Sequence, residues 1–328
     1  MAVRIFTERA YETWASWHVI YEWEDVFAKN GIPLLYNSWN FPRRLYRFIQ
    51  RKLGVHPYFR WNPEKVNVQI CFLMAPPHAR KFFTENTIPI YVDVSLNELS
   101  EIIRQTKNLP IYFVTSYCAY EILREKFHDK KCVYLPFSVS DRYVKQTKSP
   151  HRDIDILQLG RKNRKLHEWA LEYAKKHADV DYVYQTQDAS LTYESTIHGN
   201  IGRLDTRETF MSMLSRARIS LVSSPAFDGG RNFGEGFDFF TPRFFESAAM
   251  GCYMLGRYSM NKEAGKLNIA SVCPFVENQA KFVSLVDERL QATSFLQEGA
   301  YKKFLEENRT SKRVEELKRY LFERKIEV

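Results

Sequence analysis

Apolar runs alternate with amphipathic stretches along almost the whole chain, the pattern of an α/β protein. "VRIF" (3–6) predicts a short strand, and the spacing that follows predicts a helix over 9–29 that stops at Asn30-Gly31. "NVQICFLMAP" (67–76), "IPIYVDV" (88–94), "PIYFVTS" (110–116) and "CVYLPFSV" (132–139) predict further strands. They run apolar without clean alternation, as parallel strands buried on both faces do. "LNELSEIIRQT" and "YCAYEILREKF" supply helical spacing between them. The polar segment "DRYVKQTKSPHRD" (141–153), which contains Pro150, reads as a linker. After it comes a second series of strands: "DIDILQLG" (153–160), "DYVYQT" (181–186), "RISLVSSP" (218–225) and "CYMLGRY" (252–258). From about Ser294 the tail is charged and helical. The pattern predicts two doubly wound, Rossmann-like domains facing each other across a cleft, residues 1–148 and 149–311. Ligands of such sheets sit beyond the carboxyl ends of the strands.

Composition narrows the picture. Of 328 residues, 45% are hydrophobic and 27% charged, the balance of a globular protein with a real core. The net charge of +9 favours anionic partners: nucleic acid, an anionic membrane face or a phosphorylated small molecule. The basic residues are spread along the chain and form no nucleic-acid module, so a nucleic-acid partner is not expected. Cys71, Cys118, Cys132, Cys252 and Cys273 lack metal-ligand or redox spacing and read as small hydrophobes in a reducing compartment. The N-terminus lacks a signal-peptide layout and no apolar run reaches membrane-spanning length, so a cytoplasmic location is expected.

Candidate chemistry concentrates in "FGEGFDFFTPRFFESAAMGC" (233–252). A loop with Gly229, Gly230, Gly234 and Gly236 follows a buried strand, and Thr241 then suits a helix N-cap with Pro242 at the first helical position. A helix start beyond a strand end presents free N–H groups and the positive end of the dipole, a ready anion site. Arg243 is unfavourable for that dipole unless it meets an anion. Glu246 lies too far in to cap the helix, yet within reach of hydroxyls on a ligand whose phosphates sit at the helix start. Gly229 and Gly234 imitate a P-loop, but Glu235 stands where lysine is required.

"FFESAAMGCYMLGRY" resembles the "EAMACGxPVI" segment of family-4-type glycosyltransferases of the GT-B fold. In that family the second glutamate of an E-x7-E motif binds the nucleotide ribose, and the following resemblance assigns this role to Glu246. Spacing points to Asp238 as the sugar-facing acid, whereas the local "EGF" context points to Glu235. "DIDILQLGRKNRKLHEWA" resembles the family's strand–"GR"–"K" element, which implies that Gly160, Arg161 and Lys165 meet the leaving diphosphate, with Lys162 and Arg164 as alternatives to Lys165. The likeness extends over about residues 110–260. It implies a retaining transfer from a nucleotide diphosphate sugar, UDP-linked ahead of GDP-linked, to a hydroxyl on a glycan or lipid-linked acceptor, in the setting of bacterial cell-surface polysaccharide assembly. It also implies that no cofactor or metal is needed, that the helix near 312–328 packs back on the first domain, and that Asp93 or His78 could lie on the acceptor side.

Residues 41–61, "FPRRLYRFIQRKLGVHPYFRW", mix basic and aromatic residues at partly helical spacing. The segment reads equally as a helix for an anionic membrane, placing the protein on the inner face of the plasma membrane, and as a core helix with a solvated basic face. Three other readings stay open from sequence: a nucleotide-sugar epimerase of the same fold, a non-enzymatic scaffold, and a basic nucleic-acid-binding protein.

Overall fold

In the computed structural model the described residues are 3–9, 17–36, 52, 66–72, 86–144, 151–186, 191–234, 236–294 and 298–327. The chain divides into two compact units. The first comprises Met1–Pro136, Phe233–Phe237 and Thr310–Val328, and the second Phe137–Asn232 and Asp238–Arg309. Each is built on a six-stranded sheet.

The strands of the first unit are β1 (Arg4–Thr7), β2 (Leu34–Tyr36), β3 (Val66–Phe72), β4 (Asn86–Val92), β5 (Tyr112–Val114) and β6 (Cys132–Tyr134). They lie in the order β2-β1-β3-β4-β5-β6, and every pairing is parallel. Val66, Asn67 and Val68 of β3 and Ile90, Tyr91 and Val92 of β4 are all buried, so both faces of the sheet are covered and the strands show no alternation of exposure. Helices α1 (His18–Lys29), α2 (Leu99–Thr106) and α3 (Tyr117–Glu125) belong to this unit.

The second unit contains α4 (Asp141–Val144), β7 (Ile154–Gln158), α5 (Arg164–Lys176), β8 (Tyr182–Gln185), β9 (Thr192–Ser195), β10 (Gly199–Arg203), α6 (Arg207–Arg216), β11 (Ala217–Ser223), α7 (Pro242–Ala249), β12 (Tyr253–Arg257), α8 (Lys262–Lys266), α9 (Gln279–Gln291) and α10 (Glu298–Glu307). Its sheet order is β10-β9-β8-β7-β11-β12. Ile156, Ile219, Leu221 and Leu255 of the sheet share one core with Leu166, Ala170 and Tyr173 of α5 and Phe282 and Val286 of α9. Helices α6 and α7 pack on β11, α7 also on β12, and α10 covers α7, where Phe245 stacks on Phe304 at 5.7 Å. The last helix, α11 (Thr310–Glu323), packs against α1 of the first unit, with Val314, Leu317 and Leu321 buried.

Two features depart from the sequence pattern. β9 and β10 form an antiparallel hairpin at the edge of the second sheet, with a register shift between Asn200 and Gly202. Its residues are polar and glycine-rich, so it carries no apolar run. The first stretch of the first unit also runs only to Pro136, before the polar segment 141–153. Within its described parts Tyr143 is buried and Arg152 donates to the carbonyls of Ala217 and Met250, whereas Arg142, His151 and Asp153 are exposed. Just before it, Val139 N–H donates to the Asn308 carbonyl at 3.1 Å, fastening this stretch to the second unit. Among the described residues, no helix is long and apolar enough to cross a membrane. Lys52 apart, segment 41–61 lies outside the described residues.

Candidate functional site

Residues read from sequence as donor-binding gather at the carboxyl ends of β7, β11 and β12 in the second unit. β7 ends in Leu159-Gly160, and Gly160 takes φ +67°, a conformation open to glycine and strained for other residues. A Cβ there would lie 2.6 Å from Arg243 Nη2, so the guanidinium rests directly on the glycine backbone. The Gly160 N–H donates to Tyr193 Oη at 2.9 Å, a contact delivered by the β9–β10 hairpin. Arg161 follows, exposed to solvent, and makes no ion pair among the described residues. Asn163 then caps α5 by accepting from the Leu166 N–H at 3.1 Å.

α7 starts as its sequence predicts in backbone terms. Thr241 is extended, at φ −86° and ψ 161°, with Pro242 at the first helical position. The Thr241 hydroxyl makes no capping bond, however, and its Oγ1 is buried without a partner. Arg243 Nε is likewise sealed from solvent without a hydrogen bond. Burial pushes the Arg243 guanidinium below its ordinary range, Tyr193 and Glu246 oppose that, and the neighbouring Arg161 charge adds to it. Two cations and an unsatisfied hydroxyl therefore converge on a helix start that carries its own positive dipole. The buried, unpartnered Arg243 Nε and Thr241 Oγ1 are a cost that an anion would relieve.

Glu246 is buried, 4% exposed, and its Oε1 lies 2.6 Å from Arg207 Nη2, at the first residue of α6. Arg207 is itself buried, with its guanidinium near the rings of Phe210 and Tyr143. Asp238 is 4% exposed and accepts from four local donors. Oδ1 takes the N–H groups of Ala226 (3.1 Å) and Phe239 (3.0 Å), and Oδ2 takes the hydroxyls of Ser259 (2.6 Å) and Ser224. The carboxylate thus ties the loop before α7 to the ends of β11 and β12.

Lys165 is half exposed and pairs with Asp228 at 3.2 Å. Asp228, at φ +56°, also accepts from Asn163 (3.0 Å) and from both Nε and Nη2 of Arg257, the last at 2.8 Å. Burial would raise the Asp228 carboxyl, but hydrogen bonds from Arg257, Asn163 and Lys165 outweigh it and draw it down to about 2. Lys162, the alternative cation, donates to the Thr186 carbonyl at 3.0 Å and lies 5.3 Å from the Tyr184 ring. Arg164, the other alternative, faces Glu168 at 3.5 Å on the surface of α5.

Asp93 directly follows β4 in the first unit, half-buried, with a left-handed φ of +55°. His78 and Glu235 lie outside the described residues. Among the described residues, no group of three or more His, Cys, Asp or Glu side chains could hold a metal ion. Tyr193, Arg207 and Asp228 were not singled out by sequence. Asp228 sits in the glycine-bearing loop that drew attention, whereas Tyr193 and Arg207 carry no local signal, because their partners are 33 and 39 positions away.

No protein-family model matches the sequence, and no curated protein aligns with it significantly. Solved structures do match. T4 phage BGT in complex with UDP-glucose aligns at a TM-score of 0.51 and 12% identity, covering 97% of this chain and 99% of that one. A putative UDP-N-acetylglucosamine 2-epimerase from Listeria monocytogenes aligns at 0.50 and 12%, covering 99% and 96%. S. aureus TarM, as a mutant in complex with fondaparinux, α-GlcNAc-glycerol and UDP, aligns at 0.53 and 12%, covering 82% of this chain and 57% of that one. With its two Rossmann-like units, each built on a six-stranded sheet, the chain has a GT-B-like α/β fold.

Proposed function

We propose that this protein is a retaining glycosyltransferase, which moves a sugar from a nucleotide diphosphate sugar to a hydroxyl acceptor in glycan assembly. The observation that carries the reading is the pair Arg161 and Arg243, neither in an ion pair among the described residues, beside Gly160 and the start of α7. In this reading the leaving diphosphate lies at that start. The backbone N–H groups there and the two guanidinium groups take up the charge that develops as the glycosidic bond to phosphate breaks. Thr241 Oγ1 gains a partner in the same step. Lys165 contributes at longer range, since Asp228 holds it. Glu246 accepts from the ribose hydroxyls. Of the two acids read for the sugar, Asp238 is committed to four local donors, so its role is to fix the loop, and the sugar contact falls to Glu235.

The structural likeness to proteins solved with UDP or UDP-glucose supports the same donor class, with a UDP-sugar ahead of a GDP-sugar. The acceptor is a glycan or a lipid-linked glycan, and segment 41–61 is the proposed contact with an anionic membrane surface. The proposed chemistry uses the chain's fixed cations and helix dipole, with no protein-bound cofactor or metal.

Thermal unfolding with UDP, GDP, ADP, TDP and CMP at constant ionic strength tests the reading. A diphosphate at about 100 times its dissociation constant adds roughly 2.7 kcal/mol, a shift of several degrees. One nucleoside diphosphate should stand out, and its shift should vanish in Arg243→Ala. No shift from any of the five at millimolar concentration would sink the proposal.

A further inference from the structure

The carboxylate of Glu246 is in an unusual electrostatic position. The side chain is almost wholly buried, the cation it meets directly among the described residues is Arg207, and Oε1 makes no hydrogen bond. Oε1 is sealed from solvent and lies against Arg207 Nη2 without the angle of a true hydrogen bond. A buried carboxylate with one oxygen unpartnered is costly and calls for donors from elsewhere. A vicinal diol supplies two. The cation that faces it is held firmly: Arg207 is 6% exposed, and its guanidinium lies 5.4 Å from the Phe210 ring and 5.9 Å from the Tyr143 ring. Thr206 caps the helix immediately before Arg207, accepting from the Thr209 N–H at 3.1 Å, so the base of the side chain is fixed as well.

We propose that Arg207 is a positioning residue that holds Glu246 for the ribose 2′- and 3′-hydroxyls of the donor, and so sets a preference for ribonucleotides over deoxyribonucleotides. The inference rests on the reading above that Glu246 meets the ribose. Arg207 itself touches no part of the donor. It fixes one carboxylate oxygen, and the side chain's remaining freedom is a rotation that the diol then arrests. Without Arg207 the carboxylate loses its one direct counter-cation among the described residues and turns toward Arg243, one turn back on the same helix, away from the sugar and into the diphosphate cations.

Calorimetric titration of UDP and 2′-deoxy-UDP into the wild-type protein, Glu246→Gln, Arg207→Ala and Arg207→Lys tests this, with the GDP pair in parallel. The wild type should bind the ribonucleotide at least about tenfold more tightly than its 2′-deoxy form, the scale of one hydrogen bond to a charged group. Glu246→Gln and Arg207→Ala should each bring the two ligands to within about twofold of one another, with the deoxyribonucleotide, which keeps its 3′-hydroxyl, weakened less than the ribonucleotide. Arg207→Lys, which keeps the charge and is the variant least disturbing to the fold, should recover part of the discrimination. Equal weakening of both ligands in Arg207→Ala and Arg207→Lys would mark a purely structural arginine and overturn the inference, as would discrimination that survives both substitutions. Loss of discrimination in Glu246→Gln alone would leave the donor-site reading intact and remove only the role of Arg207. A wild type that binds neither UDP nor GDP would overturn both.

Discussion

Replacing Asp228 by asparagine removes a charge from the centre of the second unit while keeping a side chain that tolerates the left-handed backbone found there. Asp228 is 6% exposed and holds Arg257, itself 7% exposed, through two hydrogen bonds. The Arg257 guanidinium is boxed by the rings of Trp169, Phe227 and Phe275 at 5.3–5.4 Å, so it has little access to water once its partner is neutral. The carboxyl titrates at about 2, below the ordinary carboxylate range. At about 1.4 kcal/mol per tenfold, that depression is worth roughly 2 kcal/mol of stability at neutral pH. Because the folded-state value is depressed, the contribution is complete above an unfolded pKa of about 3.9 and is lost as pH falls toward 2. Leaving the buried Arg257 charge with only the Val276 and Glu277 carbonyls and a neutral amide adds to the loss, and about 2–4 kcal/mol is expected in all. For a domain of this size that corresponds to about 5–12 °C in Tm. Scanning calorimetry at pH 7, with urea unfolding between pH 3 and 6, measures both parts. A Tm within about 1 °C of wild type, or an unchanged acid slope in Asp228→Asn, would refute the reasoning.

Gly160→Ala places a Cβ against the Arg243 guanidinium at a positive φ, with about 1–3 kcal/mol of destabilisation expected. It should also weaken nucleoside diphosphate binding by displacing Arg243; unchanged melting and binding would show that Arg243 does not depend on this glycine. His167 is held down to about 4 by burial and then by the Lys162 charge, so it stays neutral in the folded protein where an unfolded histidine protonates. Between about pH 6.5 and 4 the unfolded state therefore binds more protons, and stability should fall as pH falls. An NMR titration placing its midpoint near 6.5, or an unaltered stability slope in His167→Phe, would contradict this.

What the sequence disclosed follows from what is local. The apolar runs at β7, β11 and β12 were readable because both faces of each strand are buried. The start of α7 was readable because Thr-Pro at a helix entrance is a chemical signature. The β9–β10 hairpin was not, because strands reading Thr-Tyr-Glu-Ser and Gly-Asn-Ile-Gly-Arg are too short and polar to show a hydrophobic period. Partnerships were the second thing hidden. Asp238 was legible as an acid near the site, but its four donors come from Ala226, Phe239, Ser224 and Ser259, which only the folded loop assembles. Lys165 was legible as a cation after a strand, but its neutralisation by Asp228 depends on contact across 63 positions. Arg207 pairs with Glu246 through tertiary packing of α6 on α7, and no spacing rule reports it.

The last helix has a consequence for the order in which the protein can be completed during synthesis. Large proteins generally fold domain by domain as they emerge, the N-terminal one first. Here α11 buries Val314, Leu317 and Leu321, packs on α1, and sends Lys318 Nζ to the Asn30 carbonyl at 2.7 Å. Phe233–Phe237 also belongs to the first unit, where the Phe233 carbonyl accepts from the Leu96 N–H at 2.8 Å. The unit that begins the chain therefore waits for residues beyond Thr310, whereas the second unit has all its parts once Arg309 has been made. On the ribosome the half that is translated later is the half that can finish first, and the exposed face of α1 must be kept from other partners until then.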